Sequence, residues 1–142
     1  MSDAGENPTL TPTRHRVLIV DDEESTRLLI ARVLTTTLQL EVTLSGTCEQ
    51  ALRLAENYAY DAILLDLLMP GIGGLEVLRE LRAGGPNKST PIIIVSVLSD
   101  EPTRARCMNM GANAYLVKPI ERNGLAVTVK AQIEGRRKQK KE

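Results

Sequence analysis

The stretch "AILLDLLMPGIGGLEVLRELRA" (residues 62–83) holds, in order, a continuous apolar run, one aspartate (Asp66), a Met69-Pro70-Gly71 break and a segment of helical period. A run that is apolar at every position, rather than alternating, reads as a strand covered on both faces, as in parallel sheets. Gly74 to Ala83 then reads as the helix that returns across the sheet, so the stretch is one strand-helix unit.

The same unit recurs on either side. Upstream, "RVLIV" (residues 16–20) reads as a buried strand ended by Asp21 and Asp22, and "ESTRLLIARVLTTT" (residues 24–37) as a helix with Leu28, Ala31 and Leu34 at helical spacing. "LEVTLS" (residues 40–45) alternates and reads as a half-exposed edge strand. Thr47 and Gln50 form a capping box for a helix to about Asn57, with Ala51, Leu54 and Ala55 inward. Downstream, "GGPNKSTP" is a connector and "IIIVSV" (residues 92–97) a strongly buried strand. Pro102 suits the first turn of a fourth helix and Gly111 its stop. "AYLV" (residues 114–117) gives the last strand, and a helix from about Arg122 carries Leu125, Val129 and Ile133 four apart into the tail. Right-handed crossovers on five parallel strands predict a doubly wound α/β sheet with helices on both faces.

Composition narrows the class. The 142 residues fit one domain, and 42% apolar content suffices for a core that must be aliphatic, since there is no Phe or Trp and only three Tyr. That leaves no stacking platform for single-stranded nucleic acid, and with no helix-turn-helix signal, direct nucleic-acid binding is not expected. Basic and acidic residues number 18 each, but five of the basic ones fall in "RRKQKK" (residues 136–141), so the chain before that tail is net acidic. Cys48 and Cys107 lack metal or redox spacing and are expected as reduced thiols in helices. With no signal pattern and no apolar run near the ~20 residues a bilayer requires, a cytoplasmic chain that makes no use of a membrane is expected. His15 is expected to be exposed.

Sheets of this kind bind ligands at the carboxyl ends of their strands, where the strand order reverses; for order 2-1-3-4-5 this lies between strands one and three. Asp21 and Asp22 end the first and Asp66 ends the third. Three carboxylates in one crevice repel unless a cation joins them. With no His or Cys nearby to attract a softer metal, the natural ion is Mg²⁺. Ser96 and Lys118, at the ends of the fourth and fifth strands, add a hydroxyl and an ammonium, which makes the set suited to a phosphoryl group.

The motifs "IVDDEE", "LLDLLMPGIGGLEVL", "IIIVSV" and "GANAYLVKPI" together resemble the receiver domain of two-component response regulators (CheY-like, flavodoxin-like fold), over roughly residues 15–135. The resemblance implies a phosphorylation-dependent switch. Asp66 would accept a phosphoryl group from a phosphohistidine on a partner histidine kinase or phosphotransfer protein. Asp21, Asp22, Asp66 and the Leu68 backbone carbonyl would hold Mg²⁺, Lys118 would pair with phosphoryl oxygens, and the Lys118-Pro119 bond would be cis. Ser96 and Tyr115 would couple the site to a surface built from the fourth helix, fifth strand and fifth helix, through which a homodimer could form. Residues 1–14 are then a flexible lead, and 136–142 a basic tail or the start of a linker.

Some positions depart from the common pattern. Val97 follows Ser96 where many receivers carry a smaller residue, which narrows access for small phosphodonors. Leu68 and Leu98 bring no polar side chain to orient an attacking water, so a long-lived phosphoryl state is expected. Gly73 stands where an acidic residue is frequent and implies a more flexible loop. Two competing readings are a partner-binding module that needs no phosphorylation and a Mg²⁺-dependent phosphohydrolase with Asp66 as nucleophile. The complete acidic set with Lys118 opposes the first. Leu68, in place of the second acid of a D-x-D pattern, opposes the second, so the expected role is regulatory rather than enzymatic.

Overall fold

The computed structural model describes residues 14–141, with side chains as far as Arg136. Five strands, β1 (Arg16–Val20), β2 (Glu41–Ser45), β3 (Ala62–Leu65), β4 (Ile92–Ser96) and β5 (Ala114–Val117), alternate with five helices. These are α1 (Glu24–Thr37), α2 (Cys48–Asn57), α3 (Gly74–Ala83), α4 (Glu101–Asn109) and α5 (Arg122–Lys141). The strands form one sheet in the order β2-β1-β3-β4-β5, and every pairing is parallel. This is the doubly wound order expected from the strand-helix alternation.

Period-two alternation along the strands divides the core in two. Leu18 and Val20 of β1, with Ile92 and Ile94 of β4, face Ala51 of α2, Leu78 of α3 and Cys107 of α4. Val17 and Ile19, with Ile93 and Val95, face Ile30 and Leu34 of α1 and Leu125 and Val129 of α5. Both cysteines are buried and unpaired, and burial pushes both thiols above their ordinary pKa. Among the described residues no helix is long and apolar enough to cross a membrane.

Register brings the strand ends level. Val20 pairs with Ser45 and Leu65, Leu65 with Ile94, and Ser96 with Val117. The residues that follow the strands therefore emerge along one edge, still tied to the ladder: Asp21 N donates to Ser45 O at 3.1 Å, Asp66 N to Val20 O at 3.0 Å and Lys118 N to Ser96 O at 2.8 Å.

Several local expectations are corrected. Leu28 is 53% exposed, and α1 instead buries Ile30, Val33 and Leu34. Apolar residues surround most of that helix, so spacing alone leaves its rotation undetermined, and the β-branched pair packs on the sheet. Leu54 on α2 is only partly buried, with Cys48 taking an inward place. β2 begins one residue later than expected and β4 stops at Ser96, leaving Val97 exposed. His15 is half-buried, its Nδ1 3.4 Å from Asp61 Oδ2. As the spacing indicated, α5 runs on into the basic stretch, and there Arg136 Nη1 donates to Tyr60 O at 3.1 Å and Thr90 Oγ1 at 3.2 Å.

At the opposite edge from the acidic loops, buried Asn87 ties the connectors together. Its Oδ1 accepts from Tyr60 N and Thr90 Oγ1, and its Nδ2 donates to Ala55 O and Tyr58 O. At the acidic edge, Gly74 lets α3 start directly against the loop that follows β3: a Cβ there would lie 2.2 Å from Asp66 O and 2.7 Å from Leu67 Cα. Both obstacles are main chain and cannot turn aside. Gly74→Ala is therefore expected to destabilise the protein by about 1–3 kcal/mol in urea unfolding, the range for overpacking a tight site.

Candidate functional site

The crevice at the carboxyl edge is built from the three residues the sheet presents there and the loops that follow them. Asp21 and Asp66 are buried and Asp22 is exposed. One carboxylate oxygen from each can be chosen so that all three lie within 4.8 Å of one another. Lys118 reaches across from the end of β5, with its Nζ 2.8 Å from Asp21 Oδ2 and 3.2 Å from Asp66 Oδ2. One ammonium thus stands between two buried anions.

The remaining carboxylate oxygens are held by main chain. Asp21 Oδ1 accepts from Glu23 N at 2.9 Å, and Asp66 Oδ1 from Leu68 N at 3.2 Å. Asp21 Oδ2, although close to the ammonium, is buried with no aligned hydrogen-bond donor among the described residues. Three carboxylates that share a single ammonium, with oxygen ligands from each close together, fit a hard divalent cation. No described hydrogen bond engages the Leu68 carbonyl.

Burial drives the electrostatics of the two partners in opposite senses. Desolvation pushes the Asp66 carboxyl above the ordinary aspartate range; the Leu68 N–H opposes this, Asp21 reinforces it, and Lys118 opposes it without reversing the outcome. Burial alone would push the Lys118 ammonium down, but Asp21 and Asp66 outweigh it, so the lysine titrates above its ordinary value.

Ser96 is fully buried at the end of β4, and its Oγ accepts from Leu98 N at 3.2 Å. The Leu98 carbonyl in turn accepts from Tyr115 Oη at 2.6 Å, so one residue of the β4–α4 loop is bonded to both. The Lys118-Pro119 peptide is cis. Leu68 and Val97 are both more than half exposed at the rim, and Gly73 has a φ of 83° immediately before α3.

Of the residues singled out from sequence, Asp21, Asp22, Asp66 and Lys118 come together at this edge, while Ser96 and Tyr115 meet at Leu98 of the β4–α4 loop. Arg27 of α1 was not expected there: its Nη1 donates to Asp21 O at 2.7 Å. An arginine early in an ordinary helix carries no local signal. Only the return of α1 over its own connecting loop brings it back to Asp21.

A pH dependence follows from the raised Asp66 pKa. The unfolded chain loses the Asp66 proton near the ordinary value of 3.8 and the folded chain loses it at higher pH. Stability therefore falls as pH rises between those two values, and the penalty persists above them. Asp66→Asn removes the penalty, so in EDTA it is expected to raise the thermal midpoint at pH 7, with the gain disappearing below the ordinary aspartate range.

A family model, the response regulator receiver domain, matches residues 17–130. The chain is 35% identical over 121 residues to response regulator ArlR of Staphylococcus saprophyticus, covering 83% of this chain and 52% of that protein. It is 33% identical over 123 residues to response regulator GacA of Pseudomonas aeruginosa, covering 86% of this chain and 56% of that protein. The chain thus spans about half the length of these relatives. Among solved structures, the receiver domain of sensor histidine kinase PA1611 from Pseudomonas aeruginosa, with a magnesium ion coordinated in its active-site cleft, is 33% identical at a TM-score of 0.78. That match covers 86% of this chain and 99% of that one. A CheY-like receiver from Methanospirillum hungatei superposes with a TM-score of 0.83 at 24% identity, covering 89% of this chain and 99% of that one. Motifs, strand order, crevice and matches agree: the chain belongs to the receiver domain family of two-component response regulators.

Proposed function

We propose that residues 15–135 act as a Mg²⁺-dependent phosphoacceptor switch in which Asp66 is the nucleophile. The observation that carries this reading is the placement of a buried Asp66 carboxylate within reach of both the acidic pair and the Lys118 ammonium. An Asp66 oxygen attacks the phosphorus of a phosphohistidine on a partner kinase or phosphotransfer protein. The P–N bond breaks, the imidazole nitrogen keeps the electron pair and takes up a proton, and Asp66 becomes an acyl phosphate.

Such a transfer depends mainly on positioning and on neutralising oxygen charge. Asp21, Asp22, Asp66 and the Leu68 carbonyl are the proposed Mg²⁺ ligands; the bound ion would supply positive charge to the phosphoryl oxygens. Lys118 exchanges its contact with Asp66 for one with a phosphoryl oxygen. Ser96 Oγ turns toward another, leaving Leu98 N, so the loop that also holds Tyr115 Oη shifts with it. The change reaches the α4–β5–α5 face, where Met108, Val117 and Val127 are exposed apolar residues suited to a partner, an output segment or a second copy.

Beryllofluoride mimics a phosphoryl group on a carboxylate and tests the site directly. In ¹⁹F NMR a bound signal is expected for the native chain only when Mg²⁺ is present, and none for Asp66→Ala. A signal that survives Asp66→Ala would remove Asp66 from this role.

Leu68 and Leu98 flank the site without a polar side chain, so water attacking the acyl phosphate finds no orienting group. The phosphorylated chain is expected to outlast a chase of minutes. Leu98→Asp is expected to shorten its lifetime about tenfold, equivalent to ~1.4 kcal/mol of barrier. Loss of label within seconds from the native chain would contradict the slow-hydrolysis reading.

A further inference from the structure

We propose that Arg27 is a positioning residue for the cation site: its guanidinium fixes the peptide group between Asp21 and Asp22, and so sets the angle at which both carboxylates are presented. The inference rests on the reading of the acidic cluster as a Mg²⁺ site.

Asp22 is exposed, and no described hydrogen bond holds its carboxylate. Its placement therefore depends on its main chain. That main chain leaves the sheet at Asp21, whose N–H is fixed to Ser45 O at 3.1 Å. The carbonyl end of Asp21, which is the peptide shared with Asp22, is fixed by Arg27 Nη1 at 2.7 Å. The two anchors lie on either side of the residue, and beyond Asp22 only the bond from Glu23 N to Asp21 Oδ1 at 2.9 Å remains, so removing the Arg27 contact loosens the peptide and shifts Asp22 with it.

The guanidinium is itself held in a fitted space. A Cβ on Gly46, in the turn between β2 and α2, would stand 3.0 Å from the same Nη1. Glycine there leaves the gap that the arginine fills. The Ser45 hydroxyl braces this turn by donating to Thr47 O at 2.8 Å. Among the described residues, Arg27 makes no ion pair with the acidic cluster, so the carboxylate oxygens stay available to a cation.

Charge and positioning predict opposite signs. A guanidinium near a divalent ion repels it, so removing the charge alone would tighten Mg²⁺ binding. Loss of a group that orients a ligand weakens it, typically by 10- to 100-fold. We would titrate Mg²⁺ into the full native chain, Arg27→Met, Gly46→Val and Asp22→Asn, following amide NMR shifts, with thermal unfolding of each in EDTA.

Arg27→Met is expected to weaken Mg²⁺ about tenfold, the low end of that range, with its unfolding midpoint in EDTA unchanged. Gly46→Val, which pushes the guanidinium aside while keeping its charge, is expected to weaken binding in the same direction. Native or tighter binding by Arg27→Met overturns the proposal. Should Arg27→Met also lower the midpoint in EDTA, Gly46→Val decides: weakened binding upholds the role and native binding overturns it. A native chain that takes no Mg²⁺, or Asp22→Asn that binds as well as native, shows that the reading of the cluster has failed and the proposal with it.

Discussion

Everything at the carboxyl edge depends on one arrangement: the Lys118 ammonium set between two carboxylates that the sheet has buried. Asp21 and Asp66 lose most of their hydration there, and two anions at such close range without a counter-charge would strongly favour protonation. Lys118, 2.8 and 3.2 Å from them, offsets that repulsion only in part. Asp66 remains harder to ionise than an ordinary aspartate, and Asp21 Oδ2 remains without an aligned donor. The site is thus left with unmet negative charge, which is the physical ground for the proposed Mg²⁺ and phosphoryl chemistry.

The sheet makes this arrangement rigid. Parallel pairing fixes Asp21 to Ser45, Asp66 to Val20 and Lys118 to Ser96 by main-chain hydrogen bonds, so the three charged side chains inherit the register of the strands. Two aliphatic half-cores clamp the sheet from opposite sides. Below, Asn87 satisfies all four of its hydrogen-bonding positions among the connectors, while Arg82 donates to Gly111 O, Lys88 O and Thr90 O. The lower edge is locked by polar bonds, those of Asn87 buried and those of Arg82 closer to the surface. The upper edge is left with a charge imbalance that a ligand can relieve, and this asymmetry suits a module whose chemistry and signalling both lie at one end.

Much of this was legible in the residues. Continuous apolar runs identify parallel strands because both faces are covered, and β1, α3 and β5 have the limits their patterns predict. Asp66, Lys118 and the acidic pair could be placed together because a fixed strand order carries every strand end to one edge. The rotation of α1 was not legible, since apolar residues surround most of that helix and only packing selects Ile30 and Val33 over Leu28. Asn87 lay within a connector that composition marks only as a turn. Arg27 and Gly46 meet through three-dimensional contact between α1 and the β2–α2 turn, for which sequence spacing has no signature. The run of α5 into the basic tail was legible from its helical spacing, but the bonds of Arg136 to Tyr60 and Thr90 were not, because a charged residue near a chain end carries no sign of a distant partner.

The most direct test of Asp66 as the group that forms the acyl phosphate is reductive trapping. The chain, phosphorylated in the presence of Mg²⁺ and treated with borohydride, should yield homoserine at position 66, located by peptide mass spectrometry, and no reduction at Asp21 or Asp22. Homoserine at either of those positions, or label that resists reduction altogether, would contradict the account.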